Sequence, residues 1–172
     1  MGSAANMFRS LVVILALMLG LIFLVPRVNS LSGPVVDIHA TAVDVKAQSG
    51  WPIVEPRGLP AGWTPTAARY VRATDDKMTW LAGYQTPDGT YVSVEQTESA
   101  SSEWIAAQIN RATRTGEIEH DGVTWVQYER GAKVQNSLVH VPEAEGELAT
   151  LVTGTATFED MLVFIDHLVP VE

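Results

Sequence analysis

The chain has 172 residues, 47% of them hydrophobic and 18% charged, enough to bury one core but hardly two. Its formal net charge is -9, and the only charged side chains before residue 30 are Arg9 and Arg27, so the remainder is more acidic still. That balance argues against nucleic acid and against electrostatic adhesion to anionic lipid, and the absence of cysteine excludes disulfides, a thiol nucleophile, thiolate metal sites and a lipidated cysteine anchor.

Leu11 to Val25 is an unbroken run of apolar residues and glycine. It predicts a single N-terminal transmembrane helix, with residues 1–30 forming a short cytoplasmic tail and an anchor whose apolar core is 11–25. Pro26 and Arg27 would mark its far boundary. A cleaved signal peptide is the rival, because Val28-Asn29-Ser30 suits a signal-peptidase site. The short N-terminal tail and long polar remainder favour a cytoplasmic N-terminus and an exported C-terminal domain.

Residues 31–60 read as a stalk, opened by Ser30, Ser32, Gly33 and Pro34 and closed by Pro52, Pro56 and Pro60. Within it, Asp37 to Gln48 predicts a short helix with Ile38, Ala42 and Val45 on one face, Asp37 or Asp44 at its start and Gly50 at its end. A strand through Val36, Ile38 and Ala40 fits the alternation nearly as well.

Residues 61–172 read as the globular, extracytoplasmic domain. A strand over Thr64 to Ala73 leads through Thr74-Asp75-Asp76-Lys77 into the most distinctive stretch, Thr79 to Thr97. There Thr86-Pro87-Asp88-Gly89-Thr90 predicts a hairpin loop with a glycine bulge. Closing it pairs Tyr84 with Val92, Ala82 with Val94 and Trp80 with Gln96. One face is then mostly apolar, and alternation turns Gln85, Ser93 and Glu95 to the other.

A helix over Ser102 to Arg111 follows, capped by Ser101, with Ile105, Ile109 and Ala112 as its inner stripe and Arg111 and Arg114 suiting its C-terminal end. Asp121-Gly122 marks a second tight hairpin, pairing His120 with Val123 and Ile118 with Trp125. Val134 to Val141 and Glu147 to Thr153 predict two strands joined by the polar turn 142–146. A last helix starts at Thr157 with Asp160 in the capping-box position; its stripe is Phe158, Met161, Leu162, Ile165 and Leu168. Without βαβ alternation, the expected class is α+β: an antiparallel sheet with helices packed on one face.

The residues that carry chemistry are scattered. His39, His120, His140 and His167 lack chelating spacing, no GxSxG occurs, and no phosphate or calcium loop appears. Glu117 and Glu119 share a strand face about 7 Å apart, which is more often a solvated surface than a cation site. A hydrolase or metal enzyme would need two or more of His120, His140, Glu117 and Glu119 to converge. No catalytic residue, metal or cofactor is expected. The ligand-binding candidates are Trp80, Tyr84, Gln96 and Trp125, lining a groove between sheet and helix. The bland alternative for the aromatic residues is core packing. Trp51 and Trp63 stand where stalk meets domain, placed to pack as a lid or to touch membrane headgroups.

Pro60-Ala61-Gly62-Trp63, the pattern TW-x-x-GY-x-TPDG-x-YV-x-x-EQ from Thr79 to Gln96, Gly122-x-x-Trp125 and Val152-Thr153-Gly154-Thr155-Ala156 together resemble an actinobacterial family. Its membrane-anchored members are known only as a domain of unknown function. The resemblance covers nearly the whole chain and implies topology and envelope location, with no activity or site residue to transfer. Members often carry histidine where Leu81 stands here, which counts against a catalytic role at that position. Ser137 to Leu168 is similar, at fold level only, to domains of bacterial exported lipoproteins and anti-sigma regulators.

The expected function is therefore a non-enzymatic protein-interaction module of the cell envelope, anchored in the cytoplasmic membrane and docking an envelope protein partner. The alternative is a carrier of a lipid or small apolar ligand.

Overall fold

Caps and turns legible in the sequence mark the ends of most elements of the structure, a computed structural model. It describes residues 3–24, 36–131, 134–142, 144 and 146–172, with side chains in the first helix from Met7 to Met18. In chain order, α1 spans Ser3–Leu24 and α2 Ile38–Ser49. Four strands follow: β1 (Val54–Pro56), β2 (Thr64–Arg72), β3 (Met78–Gln85) and β4 (Tyr91–Thr97). After α3 (Ser102–Gln108) come β5 (Thr113–His120), β6 (Val123–Glu129), β7 (Asn136–His140) and β8 (Ala149–Gly154). The chain closes with α4 (Phe158–Asp166) and β9 (Leu168–Pro170).

The fold is α+β and its sheets are antiparallel. Seven strands form one sheet in the order β2-β3-β4-β8-β7-β6-β5, and β1 pairs with β9 in a small second sheet. The central hairpin has the expected register, with Trp80 opposite Gln96, Ala82 opposite Val94 and Tyr84 opposite Val92. Gly89 takes a positive φ of 80°, and Thr86 N–H donates to Thr90 O at 2.9 Å to close the loop. The second hairpin also pairs as expected, Ile118 with Trp125 and His120 with Val123, around Asp121 and Gly122 at positive φ.

Side chains alternate across a strand, so the large sheet has two distinct faces. The inner face carries Trp80, Ala82, Val92, Val94, Leu138 and Val152, which pack with Ile38, Ala42 and Val45 of α2 and Met161 and Phe164 of α4. Trp63 stacks on Phe164 with ring centroids 5.8 Å apart, and Trp51 meets Tyr70 edge-on. Both tryptophans thus support the core. The outer face holds Thr79, Ser93, Glu95, Val139 and Leu151, and against it lies α3 through Trp104. Helices therefore flank both faces rather than the one expected. The expected stripe is present, with Ile109 buried and Ile105 and Ala112 packed against it, and the fully buried Trp104 is added to it.

A further expectation is corrected. Residues 36–60 are part of the globular core, not a stalk: the compact unit runs Val35–Glu172, and Ile38, Ala42, Val45, Ile53 and Glu55 are all buried in it. The helix inside that segment is real, capped by Asp37, whose carboxylate accepts from Ala40 N–H, and ended by Gly50 in the left-handed region. As for the N-terminal transmembrane helix, among the described residues no helix is long and apolar enough to cross a membrane. Val25, the boundary residues Pro26 and Arg27, the sequence Val28-Asn29-Ser30 and the expected stalk opening at Ser32, Gly33 and Pro34 lie outside the described residues, as do Glu143 and Glu145.

At the other ends the differences are small. Asn110 and Arg111 adopt positive φ, which stops α3 at Gln108 and puts Arg114 into β5, where it pairs with Glu117. Leu168 leaves the last helix to begin β9.

Candidate functional site

The four residues expected to line a groove are placed on the inner face, and the chain itself fills the space above them. Trp80 is fully buried and its indole Nε1–H donates to Val54 O at 2.9 Å. Gln96 Oε1 accepts from Val54 N–H at 2.8 Å, and Gln96 Nε2 donates to Thr150 Oγ1. These two side chains bind β1 down onto the sheet, satisfying backbone groups that a buried strand would otherwise leave unpaired. Trp125 is buried beside His140, and its Nε1–H has no partner among the described residues. Tyr84 borders a cavity of about 300 Å³.

That small cavity holds a closed ion cluster. Glu55, 1% exposed, receives Arg57 Nη2 at 2.7 Å and Arg57 Nε at 2.8 Å on Oε1, and His39 Nδ1 lies 2.8 Å from the same oxygen. Burial, and then the charge of Glu55, pushes the Tyr84 hydroxyl above its ordinary pKa. Because the guanidinium already neutralises the carboxylate, this cluster reads as structural.

The residues of the proposed metal or hydrolase set do not converge. His120 faces α4 and its Nε2 lies 2.5 Å from Asp166 Oδ1. Alternation puts Glu117 and Glu119 on the opposite face from His120, and His140 Nδ1 bonds to Thr124 O at 3.1 Å. Donor atoms of His120, Asp121 and Asp166 do lie within 4.8 Å of one another, but Asp121 and Asp166 are exposed. The four histidines thus remain separate.

The outer face offers a different site. Because α3 is short, the sheet beside it stays open as a cavity of about 610 Å³ bordered by Tyr91, Ser93 and Glu95 of β4, Gln108, Asn110, Arg130, Gln135 and Thr153. Three successive outward positions of β4 form one wall. Opposite them, Gln135 Nε2 donates to Thr153 Oγ1 at 3.0 Å and to Gln108 O at 3.2 Å, and the Ser137 and Thr153 hydroxyls are 2.7 Å apart. Glu95 is only 7% exposed. With the Gln108 amide nitrogen turned to it, Nε2 donates to Glu95 Oε2 at 3.1 Å while Gln108 Oε1 accepts from Trp104 Nε1–H at 3.3 Å. Trp104 Nε1–H is shared with Thr79 Oγ1 at 2.9 Å.

Electrostatics single out the same residue. Burial pushes the Glu95 carboxyl up to about 7, against a smaller downward pull from the Ser93 hydroxyl. Burial likewise raises Tyr91, with Ser93 and Arg69 acting against it and Glu95 with it. Among the described residues no ion pair neutralises Glu95. A buried acid that borders a cavity and forms no ion pair among the described residues is a candidate functional site. Alternation alone assigns Ser93 and Glu95 to this face. Gln108, Asn110 and Gln135 carried no signal in the sequence, since their convergence depends on where α3 stops.

The model of the family described as "Protein of unknown function (DUF4245)" matches residues 1–168 of the chain. No curated protein matches it. One similar solved structure is "The complex structure of Pseudomonas aeruginosa MucA/MucB", 13% identical, with a TM-score of 0.44 over 71% of this chain. The match spans 36% of that chain's length.

Proposed function

The chain belongs to this family of proteins of unknown function, and we propose that it is a non-enzymatic binding module of the cell envelope. In this reading the N-terminal apolar segment tethers it to the cytoplasmic membrane. The domain from Val35 onward is exported and docks an envelope protein on the outer face of its sheet. The observation that carries the reading is the unequal cover of the two faces. The inner face is covered by α2, α4 and the β1–β9 pair, whereas α3, of seven residues, covers only part of the outer one. The cavity beside α3 presents amides, hydroxyls and one buried carboxyl but no nucleophile held by a base, which suits recognition rather than turnover.

Support for the tether comes from the sequence run Leu11 to Val25 and from the exposed side chains of α1, among them Leu17 and Met18 at 64%. A carrier of apolar ligands has less support, because Trp80 and Gln96 are committed to β1.

The test is fractionation and capture of the full chain from its native cells. The chain is expected in the membrane fraction, with its C-terminal domain open to externally added protease and one associate retained. Substituting Asn110, at the cavity edge, should release that associate, and substituting Glu159, on the exposed side of α4, should not. Recovery in the soluble fraction, or an associate released only by the Glu159 change, would contradict the proposal.

A further inference from the structure

We propose that the outer-face cavity takes a protonated primary amine, whose ammonium group pairs with the carboxylate of Glu95. This rests on the outer face being the binding face and names the chemistry it selects.

Glu95 contributes a buried carboxylate whose donor among the described residues is the neutral Gln108 amide at 3.1 Å, while the nearby Ser93 hydroxyl donates to Thr153 O at 3.3 Å. A carboxylate has about four acceptor positions, so one neutral donor leaves most of that capacity for a ligand in the cavity. Among the described residues no cation pairs with it. Arg130, after β6, borders the cavity, and Arg69, on β2, acts on Tyr91, yet neither forms an ion pair with Glu95. From α3 the facing group is the neutral Gln108; from β7 and β8 they are the neutral Ser137 and Thr153.

An ammonium group needs three acceptors, and the Tyr91 and Ser93 hydroxyls stand on the same wall as the acid. The volume of about 610 Å³ admits an alkyl chain behind the charge. A neutral polyol would leave the buried carboxyl without countercharge, and a divalent cation would find one carboxylate where it needs several. The amine therefore fits best. It is either a free small molecule or a lysine side chain on a peptide.

Pairing favours the ionised acid, so bound amine must lower the pH at which Glu95 titrates, and binding must tighten as pH rises through that range. The experiment follows the Glu95 side-chain carboxyl carbon by NMR in the purified full chain, with n-butylamine, a lysine-bearing peptide and n-butanol. Saturating n-butylamine is expected to lower the Glu95 midpoint by about one pH unit or more, matching roughly tenfold tighter binding to the ionised form. Glu95→Gln, which keeps the shape and the Gln108 contact, should weaken amine binding roughly tenfold or more at about pH 8 and remove its pH dependence.

Peptide binding roughly tenfold tighter than n-butylamine would identify a lysine side chain as the source, and equal binding a free amine. A Glu95 midpoint unmoved by saturating amine would overturn the proposal. So would n-butanol binding as well as n-butylamine. If the associate is still captured through Asn110 while no amine binds, this proposal fails and the docking face stands.

Discussion

The Glu95 carboxylate and the Gln108 amide meet at 3.1 Å across the gap between β4 and α3. Gln108 is the last residue of its helix, and the left-handed Asn110 and Arg111 turn the chain away just beyond it. The same local event therefore ends the helix, supplies the neutral partner for a buried acid and leaves the cavity open.

The acid should weaken the fold as pH rises. Its pKa is raised in the folded state to about 7 from an ordinary 4.5, so the folded chain holds a proton that the unfolded chain has released. Stability is then greatest below about pH 4.5, falls across the interval up to about 7 and levels above it. The full effect is on the order of 3 kcal/mol. Urea melts at pH 5 and pH 8 should show a loss in wild type that is largely absent in Glu95→Gln; equal losses in both would contradict this.

Two glycines near Tyr91 should respond differently to alanine. A Cβ on Gly154 would sit 2.0 Å from Tyr91 O, a backbone atom of the adjoining strand that cannot yield without parting β4 from β8. On Gly83 it would meet the Tyr91 hydroxyl at 2.3 Å, the far end of a side chain that can swing aside. Gly154→Ala should therefore lose about 3 kcal/mol or more, and Gly83→Ala only about 1 kcal/mol. Denaturant midpoints of the two variants check the order.

The Glu55 cluster should behave as a coupled unit. Arg57→Met strands a carboxylate that is 1% exposed and should cost about 2–4 kcal/mol. Adding Glu55→Gln removes the charge and should restore most of that loss. A double-mutant cycle with no coupling between the two positions would show that the pair is not what stabilises β1.

Trp80 and Gln96 hold β1 through Val54, so Trp80→Phe leaves the Val54 carbonyl without its donor and should cost about 1–3 kcal/mol. Amide exchange at Val54 should speed up in Gln96→Leu, because its N–H donates to that side chain. Unchanged exchange would mean that the β1–β9 pairing alone protects it.

Much of this architecture was legible in the sequence because it is local. Pro87, Asp88 and Gly89 set one register, Asp121 and Gly122 another, and Asp37, Ser101 and Thr157 announce three helix starts. What escaped is non-local. Nothing in Val54 to Pro56 reveals that it will pair with Leu168 to Pro170, two segments of three residues each with prolines at their ends. Of the prolines that suggested a stalk, Pro56 instead ends β1, and Pro52 and Pro60 stand outside the strands. The candidate site was half legible: alternation turns Ser93 and Glu95 outward, but only the fold brings Gln108, Gln135 and Thr153 around them. The aromatic residues that looked most like a groove are core, since the chain supplies its own strand to cover them.

The proposed docking face for a protein partner is the outer face of the sheet, beside α3. Photo-crosslinking in native cells checks this, with the reactive side chain placed in the full chain at the exposed cavity-edge residue Val134 or, separately, at Glu159 on α4. A docking face beside α3 should give a discrete adduct from position 134 and none from position 159. The same adduct from both positions, or an adduct from 159 alone, would contradict it.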